Sequence, residues 1–514
     1  MTATVPDLLA NRARLSPGSV AIEEVMTGRI ASYAQLDAGA DRVAALLAAG
    51  GVRAGQRVAL LCRNRIAFWE LLFGCARVAA ILVPLNWRMP AAELDALIED
   101  AQPALLIYEA AFADIVAALG RPPPLLELDR FETEAAETLL APPRHSWSAS
   151  ETWYLLYTSG TTGRPKGVIY TFGMAVANLV NIVSATGLRK TDAVPAFLPN
   201  FHTAGINLHA LPTLLCGGRV LLLESFDVDG LAGLLAQGRA DLLFGVPFVF
   251  QELINHPSFA RSPLDRVRHW ACGGAPLPDQ LAEQYREIGI RLCNGMGMTE
   301  TGPTALLMDP EHAWERIGSV GKPQLLCDAR IVTPDGCPVR VGEVGELVFS
   351  GPGVTPGYWR NEEATRAAFT RDGALISGDL ARCDPEGFFY IVGRQKEMYI
   401  SGGENVYPAE VEEVLASHPA IFAAAVVAVP DDRWGEVGRA FMQLTPGATA
   451  PDPAQLQVYC RAHLAAYKIP RSFALVEDFP RTSAGKIQKH RLSSEALQPH
   501  RNRIFQASGS EYHR

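Results

Sequence analysis

Apolar residues along the chain come in short runs broken by polar turns, and the runs alternate between two periods. RVALLC (57–62), AILVPL (80–85) and ALLIYE (104–109) are apolar at nearly every position, the pattern of strands buried on both faces. Between them, AFWELLFGCARVA carries apolar residues at helical spacing. The alternation continues for about 390 residues and predicts parallel sheets covered by helices. Near residue 330 the texture changes. ARIVTPDGCPVRVGEVGELVFSGPG has short alternating runs and a Pro-Asp-Gly turn, which predicts a small β-rich subdomain. After Arg394 it changes again. VYPAEVEEVLASHP predicts a helix opened by Pro408 and closed before Pro419, and AAAVVAVP predicts a buried strand. The expected fold class is therefore α/β. A large N-terminal lobe of parallel-type sheets covered by helices, with a small β subdomain, precedes a small C-terminal α+β lobe. PGATAPDPA (446–454) reads as a surface loop, and the closing NRIFQASGSEYHR as a frayed end.

Composition narrows the class. At 514 residues the chain is too long for one core, and about 150 residues per domain gives roughly three units. Hydrophobic residues make up 48% and charged residues 20%, ordinary for a globular protein. A net charge of −9 argues against coating a nucleic acid or an acidic membrane. No run of 18 apolar residues predicts a membrane span, and the N-terminus lacks the basic start and apolar core of a signal peptide. The nine cysteines form no CxxC pair. Reduced thiols in a cytoplasmic protein, with no zinc site, are the expectation.

The chemistry begins at YTSGTTGRPKG (157–167). Clusters of Gly, Ser and Thr are usually surface turns. A turn does not explain why they crowd beside Lys166. A phosphate cradle does: glycines let backbone N–H groups converge on an anion, hydroxyls add donors, and the lysine adds charge. It is not a GxxxxGK[ST] loop, because Pro165 precedes the lysine. The stretch follows the strand-like WYLLY, and the helix-like MAVANLVNIVSA comes soon after. That places it where α/β proteins bind ligands, at a strand's carboxyl end.

TSGTTGRPKG resembles the signature of the adenylate-forming superfamily, which includes acyl-CoA synthetases, peptide-synthetase adenylation domains and firefly-luciferase-like enzymes. Five further segments follow in the family's order: LPNFHTAG (198–205), GMGMTETG (295–302), SGDLA (377–381), GRQKEMYISGGENVYPAEVE (393–412) and PRTSAGKIQKHRL (480–492). The resemblance implies ATP, Mg²⁺ and coenzyme A as cofactors. It gives Thr158, Ser159, Gly160, Thr161, Thr162, Gly163 and Lys166 to the phosphates. Gly274, Ala275, Asn294, Gly295 and Met296 would hold the rest of the nucleotide. Met296 stands where the family usually has an aromatic residue over adenine, and methionine can cover a base with polarizable surface. Asp379, by itself a common turn former, would accept from the ribose hydroxyls, with Arg394 beside it. Glu300, by itself a common helix cap, would hold Mg²⁺ together with Thr161, and Thr299 would lie near the α-phosphate.

The resemblance also divides the chain: 1–393 as the ATP- and acyl-binding lobe, 394–396 as a hinge, and 397–514 as a mobile lobe. Lys486 would enter the site for adenylation, where it and magnesium offset repulsion between carboxylate and α-phosphate. Neighbouring Lys489 and Arg491 read as solvated surface. The C-terminal lobe would then turn about Lys396, an alternation of domains that brings Ser401, Gly402 and Gly403 to the thiol. Trp434 and Tyr467 are the candidate CoA contacts, and Ile469 stands where some relatives carry a cation.

His202 would gate the acid. Amino-acid-activating relatives have Phe-Asp where this chain has Phe201-His202, so an α-amino acid is not expected. The candidate acyl pocket is Thr203, Ala204, Gly205 and Gly273, with Gly274, Met296, Gly297 and Met298. These are small or apolar, with no cation for a second carboxylate. An aromatic acid of the hydroxycinnamate or benzoate type fits best, with a medium-chain fatty acid as the alternative. The expected partner is a small-molecule carboxylic acid, not a nucleic acid, and a homodimer is compatible with the chain. The chain runs 28 residues past Lys486 (514 − 486) without a carrier domain, which favours free CoA over loading of a carrier protein. A non-enzymatic ligand-binding relative is the remaining alternative. The presence of Lys486, Glu300, Asp379 and the whole loop speaks against it.

Overall fold

The computed structural model of the chain describes residues 4–129, 144–158, 165–481, 487–496 and 504–506. The early apolar runs become strands of one sheet. Arg57–Leu61 pairs in parallel with Ile81–Pro84 and with Leu105–Tyr108. Leu125–Glu127 extends one side, and Thr152–Thr158 and Lys166–Thr171 extend the other. Arg57–Leu61 is buried from Val58 onward. Its side chains alternate in direction but both faces are covered, so its sequence does not alternate in polarity. The helix Ile66–Arg77 is buried almost all round and packs on the helix Tyr33–Ala49. Arg77 anchors the start of the chain: its buried guanidinium lies 2.9 Å from Asp7 and 2.7 Å from Asp41, and it also pairs with Asp37.

A second sheet runs in the order Ala193–Ala196, Arg219–Leu222, Val20–Glu24, Ile30–Ser32. The third sheet builds the site. Its strands are Leu242–Gly245, His269–Gly273, Leu292–Met298, Gly302–Leu307 and Lys322–Pro323, in that order. The first three run parallel, so Gly273 and Gly295 lie side by side at their carboxyl ends. The β-rich subdomain is present as the antiparallel sheet Asp328–Val332, Gly345–Ser350, Leu375–Cys383, Phe389–Arg394.

Residues after Lys396 have a core of their own, with Tyr399, Val406, Val411, Leu415 and Phe473 buried together. Its helix is Pro408–Ala416, with proline in the first turn, where its missing N–H costs nothing. The buried strand Ile421–Asp431 forms a long hairpin with Gly435–Leu444.

KGVIYT is a strand, antiparallel to Thr152–Thr158, and the MAVANLVNIVSA run forms the helix Phe172–Thr186 after it, as expected. Two local expectations change. The surface loop at 446–454 ends early, because a helix starts at Pro453. Ile504–Gln506 is not frayed but pairs with Ser472–Leu475. Among the described residues, no helix is long and apolar enough to cross a membrane.

Candidate active site

Thr158 and Lys166 sit opposite each other where the hairpin opens, and the Thr158 hydroxyl donates weakly to the Lys166 carbonyl at 3.5 Å. Ser159, Gly160, Thr161, Thr162 and Gly163 lie outside the described residues. The Lys166 ammonium stands 5.0 Å from the ring centroid of Tyr358, a cation–π distance. On its other side the Tyr358 hydroxyl donates to Oε1 of Glu300 at 3.0 Å. Burial and then the Glu300 charge push the phenol's pKa up, so it remains a donor. One tyrosine therefore links the expected phosphate lysine to the expected metal carboxylate.

Glu300 occupies the tight turn between Leu292–Met298 and Gly302–Leu307, next to Thr299. Only 7% of Glu300 is exposed. A carboxylate so placed needs donors or a cation. The segment 351–359 straps this turn to the hairpin. Thr355 N–H donates to the Glu300 carbonyl at 2.7 Å, the Thr355 hydroxyl donates to Ile169 O at 2.6 Å, and Trp359 N–H donates to Gly167 O at 2.7 Å. Sequence reasoning missed Thr355 and Tyr358. The signal was present in SGPGVTPGYW: two aromatic residues closing a Gly- and Pro-rich run need something to pack on.

Asp379 and Arg394 are cross-strand partners in the subdomain sheet. Arg394 Nε lies 2.7 Å from Asp379 Oδ1. The acid is buried, with 7% of its side chain exposed, while the arginine keeps 46%. A buried acceptor beside a reachable cation suits a sugar hydroxyl and a phosphate together. Gln395 N–H donates to Gly378 O, so the residue after Arg394 closes onto the strand that carries Asp379.

Several of the candidate acyl-pocket residues are glycines. Gly273 faces Gly295 across the parallel pair, with Gly274 and Ala275 in the loop beyond. Asn294 donates from its side chain to Ser319 O at 3.1 Å. Met296, Gly297 and Met298 continue the strand half-buried, and Met296 packs on the subdomain core. A Cβ at Gly297 would meet Pro303 O at 2.1 Å, so the two arms of this hairpin touch. The His202 ring lies 4.6 Å from that of Phe201, tilted by 57°, and Phe201 meets Trp87 edge-on at 6.3 Å. Thr203 then leads into a single π-helical turn, Ala204–Leu208. Such wide turns often mark functional sites. Gly205 makes this one possible: a Cβ there would lie 2.1 Å from Pro199 O.

Below this turn lie two buried histidines that sequence reasoning did not single out. His209 meets Phe244 edge-on at 6.0 Å, and a Cβ on Gly273 would touch the far side of Phe244 at 3.3 Å. His269 begins the strand that ends at Gly273. His209 Nδ1 and both ring nitrogens of His269 are buried without a hydrogen-bond partner. Burial pushes their pKa values down to about 3 and about 4, so both rings are neutral.

In the C-terminal lobe Gly402 and Gly403 are the two central residues of a hairpin turn, with φ of +62° and +89°. Two successive positive φ values define the turn type that favours glycine. Trp434 lies against Gly402, whose Cβ would fall 2.6 Å from the indole. Arg433 and Arg471 stand 5.0 and 5.8 Å from the indole centroid. Buried Ser401 precedes this turn, so Ser401, Gly402, Gly403 and Trp434 come together. Tyr467 is 38% exposed, and Ile469 is buried in the lobe's core, where a cation would be costly. Lys396 sits in the turn after Arg394.

Lys486 lies outside the described residues, but its flanks are pinned. Arg481 bridges to Ile487, and Gln488 N–H donates to Pro480 O at 2.7 Å. Lys489 is not the solvated lysine expected. It pairs with Glu397 at 2.6 Å and Glu412 at 2.8 Å. Burial opposes its charge, and the two carboxylates more than offset this and raise its pKa. Arg491 N–H donates to the carbonyl of Gln488, and its guanidinium to the Gln488 side chain at 3.3 Å.

Residues 9–359 match the profile of the AMP-binding enzymes, and residues 410–486 match the AMP-binding enzyme C-terminal domain. The chain belongs to this family, the adenylate-forming superfamily, and within it to the acyl-CoA synthetases. It is 42% identical to a feruloyl-CoA synthase of Amycolatopsis sp, over 93% of this chain and 96% of the relative. It is 36% identical to an indoleacetate–CoA ligase of Aromatoleum aromaticum, over 93% of this chain and 95% of the relative. Among solved structures it is similar to o-succinylbenzoate CoA synthetase of Bacillus subtilis in complex with the acyl-adenylate intermediate OSB-AMP. That match has a TM-score of 0.89 and 31% identity, and covers 98% of this chain and 99% of the other.

Proposed function

We propose that this ATP-dependent acyl-CoA synthetase acts on an aromatic acid of the hydroxycinnamate or benzoate type. The overall reaction joins carboxylate, ATP and CoA into acyl-CoA, AMP and pyrophosphate by way of an acyl-adenylate. One observation carries the reading. Gly273 pairs in parallel with Gly295, on the strand that runs on through Gly297 to the turn carrying Glu300, and that turn is strapped to the Lys166 hairpin. A flat apolar acid and a triphosphate therefore meet at one place.

The residues present suit the cofactors. Among the described residues no cluster of three or more His, Cys, Asp or Glu forms a metal cage. Magnesium coordinated mainly by phosphate oxygens needs only one protein carboxylate, and buried Glu300 supplies it. Bound magnesium would draw charge from the phosphates. Lys166 steadies the β- and γ-phosphates with the loop from Thr158 to Gly163. Asp379 and Arg394 hold the ribose, and Met296 covers the adenine. Thr299 stands at the α-phosphate, and His202 at the acid's carboxylate. Lys486 adds the cation that lets two negatively charged groups approach. After pyrophosphate leaves, movement about Lys396 carries the Gly402–Gly403 turn, backed by Trp434, toward the thiol path. Nine free cysteines fit a cytoplasmic location.

A panel of carboxylic acids assayed for AMP and pyrophosphate with CoA tests the reading. Ferulate, coumarate or benzoate should be turned over well ahead of octanoate. Strong turnover of octanoate with none of the aryl acids would overturn the acid class. Transfer to a carrier protein but not to CoA would overturn the choice of thiol.

A further inference from the structure

Asn207 is wholly buried in the middle of the π-helical turn, and both ends of its side chain are occupied. The Tyr154 hydroxyl donates to Asn207 Oδ1 at 2.7 Å. Asn207 Nδ2 donates to the Thr203 hydroxyl at 3.2 Å. Its main-chain carbonyl accepts from the side chain of Asn178, itself 4% exposed. Tyr154 belongs to the strand that runs into the phosphate loop, and its ring stacks at 4.7 Å and 12° on Tyr170 in the opposite arm of the hairpin. A Cβ at Gly302, two residues after Glu300, would lie 3.6 Å from Asn178 Oδ1 and 3.8 Å from the Tyr170 hydroxyl. The phosphate hairpin and the acyl-pocket turn thus meet at the Asn207 amide, and the turn that carries Glu300 adjoins them through Asn178 and Tyr170.

We propose that Asn207 is a positioning residue that sets the register of the acyl-pocket turn against the phosphate hairpin. A neutral amide suits the task. It accepts at one end and donates at the other, so Tyr154 and Thr203 are held at a fixed separation without burying a charge. A π-turn has no regular ladder to keep its shape, and the amide keeps it instead. The in-line approach of carboxylate to α-phosphate depends on that shape, and a misplacement of about 1 Å costs on the order of 100-fold in rate. The inference rests on the acid-activation reading.

A double-mutant cycle tests it. Tyr154→Phe and Thr203→Val each remove one hydroxyl from opposite ends of Asn207, and that amide bridges the two hydroxyls. Each single variant should lower kcat/KM for the acid in pyrophosphate formation by about tenfold, with the KM for ATP within about twofold of wild type. The double variant should be about as impaired as the worse single, because one broken link already frees the turn. Thermal melting of each variant is measured alongside. Fold-changes that multiply in the double variant overturn the proposal. So does an equal rise in the KM of acid, ATP and CoA that tracks a lowered melting temperature, which is loss of fold alone. Failure of the wild type to form pyrophosphate with any acid would instead sink the acid-activation reading.

Discussion

The two sides of the site are built from different materials. On the proposed acid side Tyr154, Asn178, Thr203 and Asn207 are neutral and joined by hydrogen bonds that meet at the wholly buried Asn207. On the proposed nucleotide side Lys166, Glu300, Asp379 and Arg394 are charged, and Arg394 keeps nearly half its side chain in water. The difference follows from what each side must do. A pocket for a flat, mostly apolar body needs shape, and neutral groups can be buried to make it without a large desolvation cost. A site for a triphosphate needs charge, and it must release pyrophosphate, so its cations stay in reach of water.

The sharpest way to break the comparison is to remove charge from the nucleotide side alone. On the proposed assignment, Lys486→Ala lowers the adenylation rate by about 10²–10⁴. Transfer to CoA from supplied acyl-adenylate stays near wild type. Pyrophosphate exchange measures the first step, and an unchanged exchange rate would exclude Lys486 from it.

A smaller effect is expected from Tyr358, which joins charge to charge through a neutral ring. Tyr358→Phe keeps the ring under Lys166 and removes the donor to Glu300. A hydrogen bond to a charged group contributes about 1.5–3 kcal/mol, so kcat/KM for ATP should fall about 10- to 100-fold, with a higher magnesium requirement and an unchanged KM for the acid. Tyr358→Leu should add a rise in ATP Kd, read by calorimetry, because Lys166 loses its seat. If the acid's KM moves instead of ATP's, the division between the two sides is wrong.

The smallest effect concerns the floor beneath the acid side. His209 and His269 have pKa values lowered below 6.5 in the fold, so the unfolded chain binds protons that the folded chain refuses. Their stabilising contribution is complete above about pH 6.5 and is lost as pH falls toward about 4. Melting temperature should therefore decline across that window, and less steeply in His209→Phe. An identical slope in the variant would show that this imidazole does not bear on acid stability.

How much of this was legible in the sequence depended on whether a feature is periodic or relational. Buried strands such as Arg57–Leu61 declare themselves by continuous apolar positions, and the helix at Pro408 by its first-turn proline. The ordered motifs identified the family. Pairings across long separations did not show. KGVIYT reads equally as loop or strand until Thr152–Thr158 is known to lie beside it. Lys489 resembles any terminal lysine until Glu397, 92 residues earlier in the chain, is seen to meet it. Asn207 looks like a polar interruption in an apolar run. Its meaning lies in Tyr154, 53 positions away.

The hairpin that carries the phosphate loop has a consequence for how the chain can change length. Lys166 is in register with Thr158, and four further pairs follow it down to Tyr170 and Tyr154. Side chains on a strand change face at every step, so one residue inserted or deleted within either arm would turn Tyr154 away from Asn207. Any survey of tolerated insertions and deletions should therefore find none within Tyr154–Thr158 or Lys166–Tyr170.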